Sequence, residues 1–161
     1  WPATWPAAPA GARYTGIELM PRDVARAQAA LGRLPTAPRF VCGDMCSADL
    51  PASDVAVILD VLHYVDHAAQ QAVLERVRDA LLPHGRLLLR VGDASSRRGF
   101  AVSQWVDRVV TMVRGHRMPP TWGRPLSEWT ALLQRLGFSV QPVPMSQGTP
   151  FANVLLAGDL R

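Results

Sequence analysis

The sequence predicts an α/β fold, a doubly wound and mostly parallel sheet that closes on an antiparallel C-terminal strand. Short apolar strand-like segments alternate with segments of helical periodicity along the chain. Three of the predicted strands end in, or run straight into, a carboxylate, in residues 14–19, 39–44 and 55–60. Because the carboxyl ends of parallel strands share one sheet edge, where ligands bind, these acids are expected to line a ligand site.

The composition is typical of one soluble globular domain. The chain has 161 residues, of which 48% are hydrophobic and 19% charged. No apolar run approaches the ~18 residues that span a bilayer, so no membrane partner is expected. Cys42 and Cys46 form neither a CxxC pair nor a disulfide framework, which indicates a reducing, cytoplasmic setting.

The basic charge does not by itself indicate a nucleic-acid partner. The pI is about 10.0, and all 17 basic residues are arginines in a chain rich in Ala, Pro, Leu and Val. A net charge of +4 without a basic run is a weak electrostatic footprint. Nucleic acid is therefore not an expected partner.

The first half of the chain begins with a strand at residues 14–19, followed by a helix with Pro21 in its first turn. The apolar stripe of this helix is predicted to be Val24, Ala27, Leu31 and Leu34. Pro35 and Pro38 end the helix before a short strand at 39–42. Residues 55–59 are apolar throughout, which predicts a strand buried on both faces.

A second helix is predicted over 67–82, and residues 83–85 stop it before a buried strand at 86–91. Its inward face is predicted to be Val73, Leu74, Val77 and Leu81. A third helical segment begins near Ser95 or Ser96, and Ser127 is predicted to cap a fourth helix that Gly137 ends. The inward residues of that helix are predicted to be Trp129, Leu132, Leu133 and Leu136. Strands at 138–143 and 151–157 form an antiparallel hairpin.

Four short sequence motifs occur in a characteristic order along the chain. They are Gly16-Ile17-Glu18-Leu19, Gly43-Asp44-Met45, Asp60-Val61-Leu62-His63-Tyr64-Val65 and residues 80–89. Together they resemble a class I S-adenosylmethionine-dependent methyltransferase, a family with a Rossmann-like fold. The resemblance runs from about residue 14 to residue 156.

The resemblance implies separate roles for the strand-end residues. Glu18, followed by Leu19, is expected to accept hydrogen bonds from the ribose hydroxyls of S-adenosylmethionine. Asp44 is expected to hold the adenine amino group while Met45 covers the ring. Asp60 is expected beside the methionine portion. Taken singly, an acid at a strand end is often only a cap or turn former.

The resemblance also implies catalytic positions at His63 and Tyr64, facing the methyl group and the acceptor. The protein has mainly to align the nucleophile, and His63 is a candidate general base. His63 taken alone is more often a lining residue than a catalyst. No metal site is expected, because His63 and His67 lack a convincing third ligand.

One departure from the family pattern concerns its first strand, which ends in a glycine-rich turn. None of the 12 glycines forms a Gly-x-Gly. Residues 1–13 are therefore predicted to be a connecting loop left from a missing N-terminal portion, and residues 14–161 a single methyltransferase-like domain. The strands of Glu18 and Asp60 then either pair directly or receive a strand from an N-terminal fragment or a second copy, as in a homodimer.

The expected function is methyl transfer to a small-molecule or carrier-bound acceptor, with impaired cofactor binding by the chain as it stands. A nicotinamide-dependent (NAD(P)) Rossmann oxidoreductase and a non-catalytic interaction domain are the alternatives. Residues 95–125 are expected to shape the acceptor pocket with the apolar side chains Trp105, Met112, Met118 and Trp122. The basic side chains there, Arg124 among them, form either a lid over an acidic acceptor or a solvated loop.

Overall fold

The computed structural model describes residues 11–32, 38–94, 121–145, 147 and 153–161. The chain divides into two compact units, Trp1–Pro51 and Ala52–Arg161. Most of the predicted connecting loop, the predicted third helix and part of the final hairpin turn lie outside the described residues.

The first unit is built on one parallel strand pair. Strands β1 (Thr15–Glu18) and β2 (Arg39–Cys42) lie in a register that sets Glu18 opposite Cys42. Helix α1 (Pro21–Leu31) connects them, with Pro21 in its first turn as predicted. The least exposed residues of α1 are Val24, Ala27 and Leu31, which confirms the described part of the predicted stripe.

The second unit contains a four-stranded mixed sheet. Its strands are β3 (Ser53–Leu59), β4 (Leu81–Gly92), β5 (Phe138–Pro144) and β6 (Asn153–Leu160), in the order β3-β4-β6-β5. Strands β3 and β4 are parallel, whereas β6 is antiparallel to both of its neighbours. The predicted antiparallel ending is therefore confirmed. Strands β1 and β3 belong to different sheets.

Helices α2 (His67–Ala80) and α3 (Leu126–Arg135) bury the apolar faces that their periodicity predicts. The Asp66 side chain caps α2 by accepting the Ala69 N–H at 2.8 Å. The described core of this unit comprises Leu62, Val73, Leu74, Val77, Leu81, Leu87, Leu89, Val91, Trp129, Leu132, Leu133, Leu136, Phe138 and Leu156. Gly137 ends α3 with a φ of 93°, which a residue with a side chain rarely adopts.

Two local predictions about helix ends are corrected by the structure. Residues 83–85 do not separate helix from strand, because β4 begins directly at Leu81 and contains them. The strand register shifts there, His84 has a φ of 64°, and a Cβ on Gly85 would lie 2.8 Å from the Leu82 carbonyl oxygen. Ser127 does not cap α3, because the Leu126 N–H bonds instead to the Asp93 carboxylate at 3.1 Å.

Strand β3 is not buried on both faces as predicted. Val55, Val57 and Leu59 are 50%, 57% and 46% exposed, on alternate positions of the strand. The reason is its place at the outer edge of the sheet, where β4 is its one hydrogen-bonded neighbour among the described strands. An exposed apolar edge strand tends to pair with another chain. The opposite edge strand, β5, carries Pro142 and Pro144, which have no N–H to offer such a partner.

We expect the chain on its own to associate through β3. Val57→Lys places a charge on the exposed apolar row and should shift the protein toward monomer. Because Val57 is exposed, the substitution should change the free energy of unfolding by no more than about 0.5 kcal/mol. Sedimentation velocity over a concentration series measures the association. Val143→Lys, on the edge strand β5, is the matched control, and equal effects of the two substitutions would contradict the assignment to β3.

Candidate active site

The candidate site residues of the first unit lie at the carboxyl ends of its two strands. Glu18 is the last residue of β1, and Asp44 follows the last residue of β2 by two positions. Because these strands are parallel and adjacent, both acids occupy the same edge of the pair. Leu19 is 61% exposed directly after Glu18, and Met45 is half-buried.

Each of these two carboxylates already serves a local turn. Glu18 Oε1 accepts the backbone N–H of Met20 at 3.0 Å, and Asp44 Oδ1 accepts that of Cys46 at 2.8 Å. The Asp44 backbone oxygen also accepts the N–H groups of Ser47 and Ala48. Both acids are therefore turn formers, as their sequence context allows, and each uses a single carboxylate oxygen for that purpose.

In the second unit, Asp60 is held by an arginine from the neighbouring strand. The β3–β4 register pairs Leu59 with Arg90, so Asp60 follows one residue beyond that pair. Arg90 donates from Nε and Nη2 to Oδ2 of Asp60, with an Nε to Oδ2 distance of 2.7 Å. The Asp60 backbone has a φ of 56°, a conformation that aspartate tolerates better than most residues.

The ion pair is partly shielded from water. The side chains of Arg90 and Asp60 are 33% and 35% exposed. The hydrogen bond to Asp60 raises the pKa of Arg90 above its ordinary value, although partial burial works in the opposite direction. Arg90 therefore stays charged at any physiological pH, and it holds one oxygen of the Asp60 carboxylate, Oδ2, in place.

One feature is common to all three predicted acids. Glu18, Asp44 and Asp60 each have one carboxylate oxygen occupied by the chain, and the other oxygen has no partner among the described residues. A carboxylate oxygen in this condition accepts hydrogen bonds from hydroxyl and amino groups. Each acid is thus oriented by its own surroundings and still has capacity for a ligand.

His63 and Tyr64 lie on a single 3₁₀ turn, Leu62–Tyr64, that follows Asp60. The centroids of their two rings are 4.1 Å apart. His63 is half-buried, while Tyr64 is 44% exposed. The Trp122 N–H donates to the His63 backbone oxygen at 2.8 Å, which ties this turn to the segment before α3.

The predicted acceptor segment is described only at its two ends. Trp122 is 41% exposed, whereas Trp105, Met112 and Met118 lie outside the described residues. Arg124 forms neither a lid nor a solvated loop. Its side chain is 13% exposed, and it donates to Gln70 and to the His67 backbone oxygen.

Two residues beside the site were missed by the sequence analysis. Arg90 had a signal, since it is a charged residue between the apolar residues Leu89 and Val91 of a predicted strand. Gln70 had none, because a glutamine on a helix next to Gln71 is ordinarily solvent-facing. Its burial depends on long-range packing that no local pattern encodes.

Two classes of feature are absent from the described part of the chain. No three His, Cys, Asp or Glu side chains there are grouped so that they could hold a metal ion. None of the helices described is long and apolar enough to cross a membrane.

Comparison with known proteins separates the methyltransferase prediction from the nicotinamide-dependent alternative. A family described as an O-methyltransferase domain matches residues 8–139, which is most of the chain. The chain belongs to this O-methyltransferase family. The family is of the class I S-adenosylmethionine-dependent type, as the motif order indicated, and membership favours methyl transfer over the nicotinamide-dependent alternative.

Individual relatives agree with the family assignment. Acetylserotonin O-methyltransferase of Mus musculus is 36% identical over 104 residues, covering 63% of this chain and 25% of that protein. The mitomycin 7-O-methyltransferase MmcR superposes with a TM-score of 0.70 and 27% identity, over 94% of this chain and 42% of that one. Human N-acetylserotonin methyltransferase, solved in complex with SAM, shares the fold with a TM-score of 0.68 and 20% identity, over 93% of this chain and 41% of its own. The chain thus spans less than half the length of these relatives.

We expect Arg90 to contribute more to stability than Arg86, an arginine on the same strand that also pairs with an aspartate. Arg86 and Asp159 are 55% and 53% exposed, so their pair is more screened by water than that of Arg90. Arg90→Met should lower the free energy of unfolding by about 1 kcal/mol, because it removes a charged hydrogen bond that is partly shielded. Arg86→Met should have a smaller effect. Urea unfolding measures both, and an equal or larger loss for Arg86→Met would contradict the ranking.

Proposed function

We propose that the protein transfers the methyl group of S-adenosylmethionine to an oxygen of a small-molecule or carrier-bound acceptor. Membership in the O-methyltransferase family supports the reaction class. The likeness to acetylserotonin and mitomycin methyltransferases supports a small organic acceptor. In this proposal residues 14–161 act as one methyltransferase-like domain.

The observation that carries the proposal is the order and hydrogen bonding of the three strand-end acids. Glu18 would accept bonds from the ribose hydroxyls with its unoccupied oxygen, and Asp44 would accept one from the adenine amino group, with Met45 against the ring. Asp60, fixed by Arg90, would face the positively charged methionine portion. Leu19 adds an exposed apolar side chain beside Glu18. Each acid offers an acceptor where the cofactor offers a donor.

The chemistry proposed for the 3₁₀ turn follows from its place directly after Asp60. The bound cofactor supplies a methyl group that its sulfonium has already activated. Tyr64 would orient the acceptor, so that its oxygen lies in line with the methyl carbon. As the new O–C bond forms and the S–C bond breaks, the imidazole of His63 would take the hydroxyl proton.

We further propose that a strand with the family's glycine-rich turn completes the site beside β3. The exposed row Val55, Val57 and Leu59, on a strand with one described neighbour, supports this proposal. The occupant would be a complementing N-terminal fragment or a second copy of this chain, as in a homodimer. Until that strand is present, cofactor binding should be weak, because the turn would supply the backbone amides that approach the cofactor most closely.

Glu18→Gln tests the ribose contact. It should weaken binding of S-adenosylhomocysteine by about 1.5–3 kcal/mol, the contribution of a charge-assisted hydrogen bond. Isothermal titration calorimetry measures the dissociation constant. Asp49→Asn, at an exposed acid of the same unit, is the control and should leave the affinity unchanged. Unchanged affinity for Glu18→Gln would remove Glu18 from the site.

A second titration tests the completing strand. The chain alone should bind S-adenosylhomocysteine at least about tenfold more weakly than a polypeptide extended by a glycine-rich strand, a difference of about 1.4 kcal/mol. Equal affinity would contradict the proposed gap. If the extended polypeptide binds the cofactor and methylates nothing in a broad panel of hydroxylated acceptors, the non-catalytic alternative is correct instead.

A further inference from the structure

Gln70 is the only polar residue that is fully buried in the described part of the chain. Its Nε2 lies within hydrogen-bonding distance of three backbone oxygens, at 3.2 Å from Leu62, 3.1 Å from Val65 and 2.8 Å from Trp122. A buried amide of this kind is stabilising only when its donors and acceptors are satisfied. The number of partners indicates that the side chain joins two segments of backbone.

The other end of the amide is equally well defined. Gln70 Oε1 accepts a hydrogen bond from Arg124 Nε at 2.7 Å. Because a guanidinium can only donate and a carbonyl oxygen can only accept, the amide has a single orientation that matches these neighbours, with its two N–H hydrogens shared among the three oxygens. Arg124 is itself anchored, since its Nη2 donates to the His67 oxygen at 2.9 Å and its Cζ lies 5.6 Å from the Trp129 ring centroid.

One of the two joined segments carries candidate site residues, and the other is bonded to it. Leu62 and Val65 flank His63 and Tyr64, so the Gln70 amide holds the 3₁₀ turn from both sides. Trp122 belongs to the segment that leads into α3, and its own N–H returns to the His63 oxygen. The turn and this segment are therefore linked twice, by the Gln70 amide and by the backbone hydrogen bond from Trp122 to His63.

The same segment is fixed to the end of β4. The Ala94 N–H donates to the Arg124 backbone oxygen at 3.3 Å, and the Leu126 N–H donates to Asp93 at 3.1 Å. Residues 122–126 thus have partners on α2, on the 3₁₀ turn and beyond β4. Of these contacts, only those of the Gln70 side chain join the 3₁₀ turn and residues 122–126 through a single group.

We propose that Gln70 is a positioning residue, which fixes the turn carrying His63 and Tyr64 against residues 122–124. The assignment of His63 and Tyr64 to catalysis rests on the proposed function, whereas the linkage of the two segments does not. A methionine in place of Gln70 would leave three carbonyl oxygens and Arg124 without this partner. A glutamate would still accept from Arg124, but it would set a negative oxygen against the three carbonyls.

The test compares two adjacent glutamines. Gln70→Met and Gln71→Met remove the same group from neighbouring positions. Gln71 is exposed, and among the described residues its side chain bonds only to Glu75 on the same helix. Amide hydrogen exchange reports the linkage without any substrate. In Gln70→Met the Trp122 amide should exchange at least about tenfold faster. The ratio of the exchange rates of the Leu133 and Leu156 amides, which lie in the core, should stay the same. Gln71→Met should leave Trp122 unchanged.

The positioning role has its own readout in the polypeptide extended by the glycine-rich strand. Gln70→Met should lower kcat by about tenfold or more and leave the dissociation constant of S-adenosylhomocysteine within about twofold, because the turn would be misplaced relative to a normally bound cofactor. If Gln70→Met fails to fold, Gln70→Glu replaces it, since it keeps the bond from Arg124, and the same loss of Trp122 protection is expected.

Each outcome separates this inference from the proposed function. Unchanged Trp122 protection in Gln70→Met, or an equal effect of Gln71→Met, would overturn the linkage whatever the enzyme does. Faster exchange with unchanged kcat would overturn the positioning role. Failure of the proposed function would appear differently, as absent methyl transfer by the wild-type enzyme, and it would overturn the catalytic part while the exchange result still decided the linkage.

Discussion

The strand-end acids of the candidate site take their positions from two strand registers. Each register is fixed by hydrogen bonds between a pair of parallel strands. In the first unit the register sets Glu18 opposite Cys42, and Asp44 therefore follows β2 at the edge where Glu18 ends β1. In the second unit the register sets Leu59 opposite Arg90, which brings the guanidinium to the carboxylate of Asp60. A shift of one residue would turn these side chains to the opposite face and separate the Asp60–Arg90 pair.

The strand ends supply acids, but other residues fix how those acids and their neighbours are oriented. Backbone N–H groups hold one oxygen of Glu18 and one of Asp44, and Arg90 holds one of Asp60. The buried amide of Gln70 plays the corresponding part for the turn of His63 and Tyr64. Side chains that are already held in place lose less conformational entropy when a ligand binds, so these local bonds favour affinity as well as order.

Much of this architecture was accessible from the sequence, because local patterns encode it. Helical spacing correctly predicted the buried face of α3, including Trp129, and strand-end acids predicted the position of Asp44. The exposure of Val57 was not predictable in the same way, since an apolar run does not say whether a neighbouring strand is present. The burial of Gln70 likewise depends on the arrival of Trp122 and Arg124 from 52 and 54 residues further along the chain.

The proposed cofactor site depends above all on a hydrogen bond from the ribose to the unoccupied oxygen of Glu18. A double-mutant cycle tests it directly, by combining Glu18→Gln with a 2′-deoxyribose analogue of S-adenosylhomocysteine and measuring the four dissociation constants by calorimetry. We expect a coupling energy of about 1–3 kcal/mol, because the analogue lacks the hydroxyl from which Glu18 would accept a hydrogen bond. Strictly additive effects, with no coupling between Glu18 and the 2′-hydroxyl, would contradict it.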